Sequence, residues 1–144
     1  MIDIYKTWVS DIDEMKFNKW AWCLKSKKAI KQLKQYISMD QVYSFTLWDT
    51  VKEHPVAVLS FHSYGEGLFL GQIVADELFE QNPKYAIKMK YLIGRVIEDY
   101  KVRYVQTVSE DAEQLNKWHE FLGFKKEKVL PNYRRGRTFI VWSM

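Results

Sequence analysis

LFLGQIVADELFEQNPKYAIKMKYLIGRVIEDYKVRYVQTVSEDAEQLNKWHEFLGF, residues Leu68 to Phe124, is the stretch whose reading decides the fold. Leu68 to Ala75 is an apolar run with the β-branched and aromatic character of a strand. After a polar loop from Asp76 to Pro83, the residues Ala86, Met89, Leu92, Ile93, Val96, Ile97 and Tyr100 recur at helical spacing. Lys84, Lys88, Arg95, Glu98 and Asp99 fall largely on the opposite side. Val102 to Val108 reads as a second strand, interrupted by Arg103. Asp111 is placed to cap a further helix with Gln114 reaching back to it, while Ala112, Leu115, Trp118 and Leu122 form the buried stripe and Gly123 the stop. Strand, helix and strand in this order require parallel pairing through a crossover helix. That leaves a gap beside the first strand where a helix start can meet an anion. Gly71 lies inside the first strand, where glycine marks a bulge or the close approach of a backbone or ligand.

Outward from this stretch the pattern continues in both directions. Ile2 to Trp8 alternates as a strand, and Ser10 offers an N-cap to a helix with Asp11 and Asp13 in its first turn. Ile12, Met15, Trp20, Cys23 and Leu24 approximate its apolar face. A second helix buries Ile30, Leu33, Tyr36 and Ile37 and turns Lys27, Lys28, Lys31 and Lys34 to solvent. Gln41 to Trp48, Val56 to Phe61 and Leu68 to Ala75 make an antiparallel meander. Lys125 to Leu130 and Thr138 to Trp142 are two closing strands joined by the loop Pro131 to Arg137. With no repeat, linker or low-complexity segment, residues 1–144 form a single mixed α/β domain.

Hydrophobic residues make up 47% of the chain and aromatics 16%, which excludes disorder. A net charge of +4 and a pI near 9.0 make an anionic partner plausible without naming it. Cys23 is the only cysteine, and His54, His62 and His119 are scattered singly, so neither an internal disulfide nor a metal site is expected. Met1 to Lys6 lacks the apolar core of a signal peptide, and no apolar run approaches the ~20 residues of a membrane span. A soluble, cytoplasmic protein with no membrane partner is expected.

Two local patterns join the element order in pointing to a family. Gln81-Asn82-Pro83-Lys84-Tyr85-Ala86 opens the central helix, and His119-Glu120-Phe121-Leu122-Gly123-Phe124 closes the last one. The chain resembles the GNAT superfamily of N-acetyltransferases, which carry [Gln/Arg]-x-x-Gly-x-[Gly/Ala] at the first place and Tyr-x-x-Leu-Gly-Phe at the second. Here Lys84 replaces the first glycine and His119 the tyrosine that protonates the departing thiolate. Such drift is similar to the GNAT-like proteins of tailed bacteriophages, some of them virion-associated, for which host cytoplasm or virion would be the location. The resemblance implies a mixed, mostly antiparallel sheet with a central parallel strand pair and flanking helices. It also implies acetyl-CoA as co-substrate and an amine acceptor, joined by direct attack in a ternary complex without a covalent nucleophile; Cys23 is expected to lie away from the thioester carbon.

Each demand of that chemistry picks out residues. The pyrophosphate needs amides at a helix start, which places Gln81, Lys84, Tyr85 and Ala86 against it, with Lys88 one turn on. The pantetheine arm should lie along Gln72, Ile73 and Val74 as an added strand would. An amine of pKa ~10.4 is only about one part in a thousand neutral near pH 7.4, so a base is needed, and Asp76, Glu77 and Glu110 at the strand ends are the candidates. His119 is the candidate acid for the leaving thiolate. The competing readings are a catalytically inactive scaffold and a binding module. In the latter, Arg134, Arg135 and Arg137 around Tyr133 grip nucleic acid or an acidic protein.

Overall fold

The computed structural model describes the backbone of residues 1–144 and every side chain except those of Trp22 and Cys23; the expectation about Cys23 therefore lies outside the described residues. In chain order the elements are β1 (Ile2–Lys6), α1 (Val9–Glu14), a 3₁₀ segment (Lys19–Leu24), α2 (Lys27–Ile37), β2 (Val42–Asp49), β3 (His54–Ser63) and β4 (Leu68–Ala75). There follow a 3₁₀ turn (Phe79–Gln81), α3 (Pro83–Asp99), β5 (Tyr104–Glu110), α4 (Glu113–Leu122), β6 (Lys125–Arg134) and β7 (Arg137–Ser143). The strands form one seven-stranded sheet in the order β1-β2-β3-β4-β5-β7-β6. β4 and β5 run parallel, and the other neighbours run antiparallel. Among the described residues no helix is long and apolar enough to cross a membrane.

Both faces of the sheet are covered, because successive strand residues point to opposite sides. Val58 and Val74 pack with Ile12, Met15 and Leu33 of the α1–α2 side. Their neighbours Ala57, Leu59 and Ala75 join Tyr85, Met89, Leu92 and Ile93 of α3, and with Trp142 and Leu122 these form the main core. Gly123 adopts φ 100° and ends α4, as its sequence position suggested.

Four local expectations are corrected. The N-terminal helix is capped at Trp8, not Ser10, and Asp11 Oδ2 accepts the Trp8 N–H at 3.0 Å. That helix does not run on to Leu24. It stops at Met15, where ψ is 140°, because Lys16 to Asn18 turn to pair with the end of β4. Asp111 does not cap α4; the helix starts after Ala112, and Asp111 Oδ1 accepts from Asn116 Nδ2 instead. The loop expected from Pro131 to Arg137 is mostly strand. A two-residue turn, Arg135-Gly136, with φ 49° and 72°, joins β6 to β7, positive φ at both positions matching the twist of a hairpin.

One buried polar pair fixes where α3 begins. Tyr85 is 1% exposed on the first turn, and its hydroxyl donates to Asp49 Oδ2 at 2.5 Å, at the end of β2. Asp49 Oδ1 also accepts the N–H groups of Val51 and Lys52. Burial and the Asp49 hydrogen bond push the Tyr85 phenol up to about 12, and the Tyr85 hydroxyl is the main cause holding Asp49 below its ordinary range. A raised phenol contributes stability below its unfolded value of 10.0 and loses it as pH rises towards 12. A depressed carboxylate contributes above 3.8 and loses that stability as pH falls through its folded value. Tyr85→Phe should therefore cost about 1.5–3 kcal/mol at neutral pH. Urea unfolding should show that difference shrinking at both extremes of pH; an unchanged gap in acid would contradict the assignment.

Candidate active site

β4 and β5 are paired at only three positions, Leu68↔Tyr104, Phe69↔Val105 and Leu70↔Gln106. Beyond these, β4 stays with β3 as far as Ala57↔Ala75, and β5 stays with β7 as far as Glu110↔Phe139. The two strands part, and a cleft of about 860 Å³ opens between Gly71–Ala75 and Thr107–Glu110, walled by the starts of α3 and α4 and by the segment around Trp20. Gly71 sits at the fork without a bulge, since its register with Phe61 is uninterrupted. A Cβ there would stand 3.3 Å from Val105 Cγ2 and 3.8 Å from the Gln106 carbonyl oxygen, so glycine permits the last close approach before the strands diverge.

The register identifies which backbone groups face the cleft. Asp76 N–H donates to the Val56 carbonyl, and Tyr64 N–H to that of Leu68, so the even-numbered residues of β4 direct their backbone groups to β3. Gln72 and Val74 line the cleft with their backbones turned away, whereas Ile73 aims its N–H and C=O into it. The outer end is closed: Phe17 bridges Asp76, and Asn18 N–H donates to the Ala75 carbonyl at 3.0 Å.

At the start of α3 the Lys84 and Tyr85 amides expected to hold a pyrophosphate are already bonded. Pro83 has no N–H, Lys84 N–H donates to Asn82 Oδ1 at 3.0 Å, and Tyr85 N–H donates to the Asn82 carbonyl at 3.1 Å. In the preceding loop Leu78 N–H is held by Asp76 Oδ2, Phe79 N–H by the Asp76 carbonyl and Gln81 N–H by that of Leu78. Of the residues expected around the cofactor, Gln72, Ile73, Val74 and Ala86 line the cleft. Gln81 and Lys84 are exposed outside it, Tyr85 points into the core, and the Lys88 ammonium lies 5.2 Å from the centre of the Tyr91 ring.

The candidate acids and bases separate in the same way. Asp76 is 1% exposed, and its Oδ1 accepts Lys16 N–H at 2.6 Å and contacts His54 Nε2 at 2.9 Å. With Oδ2 on Leu78 N–H it is an anchor for backbone, outside the cleft. Glu77 is exposed and also outside. Glu110 lines the cleft, and its Oε1 accepts from Arg137 Nη1 at 2.8 Å. His119 lines the cleft wall but is buried, stacked on Trp142 at 5.2 Å and 9°, with Nδ1 2.8 Å from the Leu115 carbonyl. Burial lowers its pKa and the Leu115 hydrogen bond pulls more weakly the other way. A carbonyl can only accept, so Nδ1 carries the hydrogen and Nε2 of the neutral ring has a lone pair and no proton to give. The ring does not fit the acid role.

Sequence reading missed Asn18, Trp20, Ser109 and Phe139 as cleft residues, and it placed Arg134 in the basic loop. The indole Nε1 of Trp20 is buried without a partner among the described residues, an unpaired donor in the wall. Nothing in the residue pattern could have found it, because its position follows from the backbone pairing of Lys16 to Asn18 with β4. A histidine whose pKa is lowered by burial contributes stability above its unfolded value of 6.5 and loses it as pH falls through its lower folded value. His119→Phe, which keeps an aromatic ring beside Trp142, should therefore lose less stability than the parent between about pH 7 and 5. Equal losses in urea titrations at the two pH values would refute the neutral-ring assignment.

No protein-family model matches the chain, and no curated protein sequence matches it. Solved structures do. A ribosomal-protein-S5-alanine acetyltransferase from Vibrio fischeri aligns with a TM-score of 0.71 at 13% identity, over 99% of this chain and 92% of that one. A GNAT-family acetyltransferase from Bacillus anthracis aligns with a TM-score of 0.75 at 8% identity, over 99% and 93%. The spermidine/spermine N-acetyltransferase SpeG from Vibrio cholerae gives 0.75 at 10% identity, over 100% and 94%. At these identities the likeness shows the fold: a GNAT-like sheet of seven mostly antiparallel strands with the parallel pair β4–β5.

Proposed function

We propose that this chain is an N-acyltransferase that moves an acetyl group from a pantetheine thioester, acetyl-CoA being the reference co-substrate, to a primary amine by direct attack in a ternary complex. The observation that carries the reading is the fork between β4 and β5, which leaves the N–H and C=O of Ile73 facing a cleft deep enough for an extended arm. Two of the structurally similar proteins act, by their names, on an alanine of ribosomal protein S5 and on spermidine or spermine, and both acceptors are amines.

The residues divide the work by position. Ile73 pairs with the amides of the arm as a neighbouring strand would. Glu110, held by Arg137, receives the proton of the acceptor ammonium, directly or through water, and so supplies the neutral amine. The amine nitrogen bonds to the thioester carbon, the C–S bond breaks, sulfur leaves with its electron pair, and the nitrogen gives up its surplus proton to water to leave the neutral amide. A thiol of pKa ~8.5 is a good enough leaving group to take its proton from solvent, which removes the need for an acid at His119. Arg134 flanks the Glu110 end. The basic hairpin thus belongs to the acceptor end of the cleft rather than to a separate nucleic-acid surface.

Two measurements test the reading. Acetyl-CoA at ~100 times its dissociation constant should add about 2.7 kcal/mol and raise the melting temperature by several degrees. An oligonucleotide should give no comparable rise, and a salt-sensitive response to nucleic acid alone would replace the enzyme with the binding module. Glu110→Gln should lower kcat by roughly 10²–10⁴-fold with donor binding kept. Unchanged turnover across pH in that variant would remove Glu110 as the base.

A further inference from the structure

We infer that the donor is recognised by its pantetheine arm and not by its diphosphate, so that acyl-pantetheine thioesters without a nucleotide are substrates in their own right. The inference rests on the acyl-transfer reading above and deepens it at the donor end. Its basis is a mismatch between two halves of one site. The half that receives the arm is open, with Ile73 unpaired at the β4 edge and Leu70, Ala86, Trp118 and Phe121 giving the cleft apolar walls. The half that would receive a diphosphate is closed. Proline at the first position of α3 removes one amide, Asn82 holds those of Lys84 and Tyr85 through its side chain and carbonyl, and Leu78 holds that of Gln81.

This closure is built into the fold and is not a loose loop conformation. Tyr85 ties the first turn of α3 to Asp49, and Asp76 ties the preceding loop to Lys16 and Leu78, so both sides of the helix start are clamped. Nor do side chains substitute for the amides. Lys84 points to solvent outside the cleft and Lys88 lies against Tyr91, so their charges reach a phosphate only across water, where an exposed pair contributes little. Charge-assisted hydrogen bonds to a diphosphate are worth about tenfold or more each in affinity, and two or three of them would make the nucleotide end decisive for a donor. The amides of Gln81, Lys84 and Tyr85 are not free to provide them.

The test compares acetyl-CoA with acetyl-pantetheine at one amine acceptor. The expected result is kcat/KM values within about tenfold of each other, with pantetheine and CoA competing as products over a similarly narrow range. A preference for acetyl-CoA of more than ~100-fold would overturn the inference and leave the acyltransferase standing. Failure of both thioesters to react or to shift the melting temperature would overturn the acyltransferase and the inference with it. Asn82→Gly supplies a second arm, because glycine is tolerated at a helix N-cap while freeing the Lys84 amide. The acetyl-CoA to acetyl-pantetheine ratio should rise severalfold in that variant, and a ratio that does not move would overturn the capping argument.

Discussion

The structure turns on β4 being shared by two neighbours that demand different directions. A strand inside a sheet has two hydrogen-bonding edges, and buried backbone groups are seldom left unpaired. β4 satisfies its β3 edge throughout but its β5 edge for only three residue pairs. Each bank of the resulting cleft has its own anchor. On the β4 side, Asp76 binds Lys16, Leu78 and His54 and so fastens the N-terminal segment across the end of the strand. On the β5 side, Trp142 Nε1 donates to Ser109 Oγ at 2.9 Å, and its ring lies flat beneath His119. Zipping the strands together would break both sets of contacts to gain a few ladder bonds, so the fork persists.

These anchors explain why the sequence reads well for the fold and less well for the site. The apolar, β-branched run that marks β4 and the spacing that marks α3 are local, and β4 runs from Leu68 to Ala75 as the pattern indicates. α3 starts one residue earlier than its pattern, at Pro83, a residue suited to the first helical position. Asp76 drew attention as a carboxylate at a strand end beside an expected cleft, and His119 as the residue in the place of the family's tyrosine acid. What they do is decided by partners their neighbours in sequence do not reveal: Lys16 lies 60 positions from Asp76, and Trp142 packs on His119 from another strand. The break after α1 has the same origin. The residues from Met15 to Leu24 have a helical stripe, yet Lys16 to Asn18 leave the helix to pair with Ala75, Asp76 and Glu77. Glu110 was identified among three carboxylates that sequence could not separate, and only burial and cleft position distinguish it.

The acceptor end shows how one irregularity sets the chemistry of a whole region. β6 and β7 pair with one register shift at Glu127, continue to Leu130↔Phe139, slip again, and resume at Arg134↔Arg137. The second slip sets Pro131, Asn132 and Tyr133 against Thr138 alone, with Asn132 at φ 51° and the Tyr133 ring 5.4 Å from that of Phe139. Extra residues on one strand bend it and raise its local twist, which re-aims the side chains that follow. The consequence is that Arg134 lines the cleft and Arg137 reaches Glu110, while a uniform hairpin of the same sequence would alternate these residues between its two faces. One guanidinium, that of Arg137, thus holds the Glu110 carboxylate, while Arg134 lines the cleft beside it. The slip in the hairpin therefore goes with the placement of two arginines at one end of the cleft.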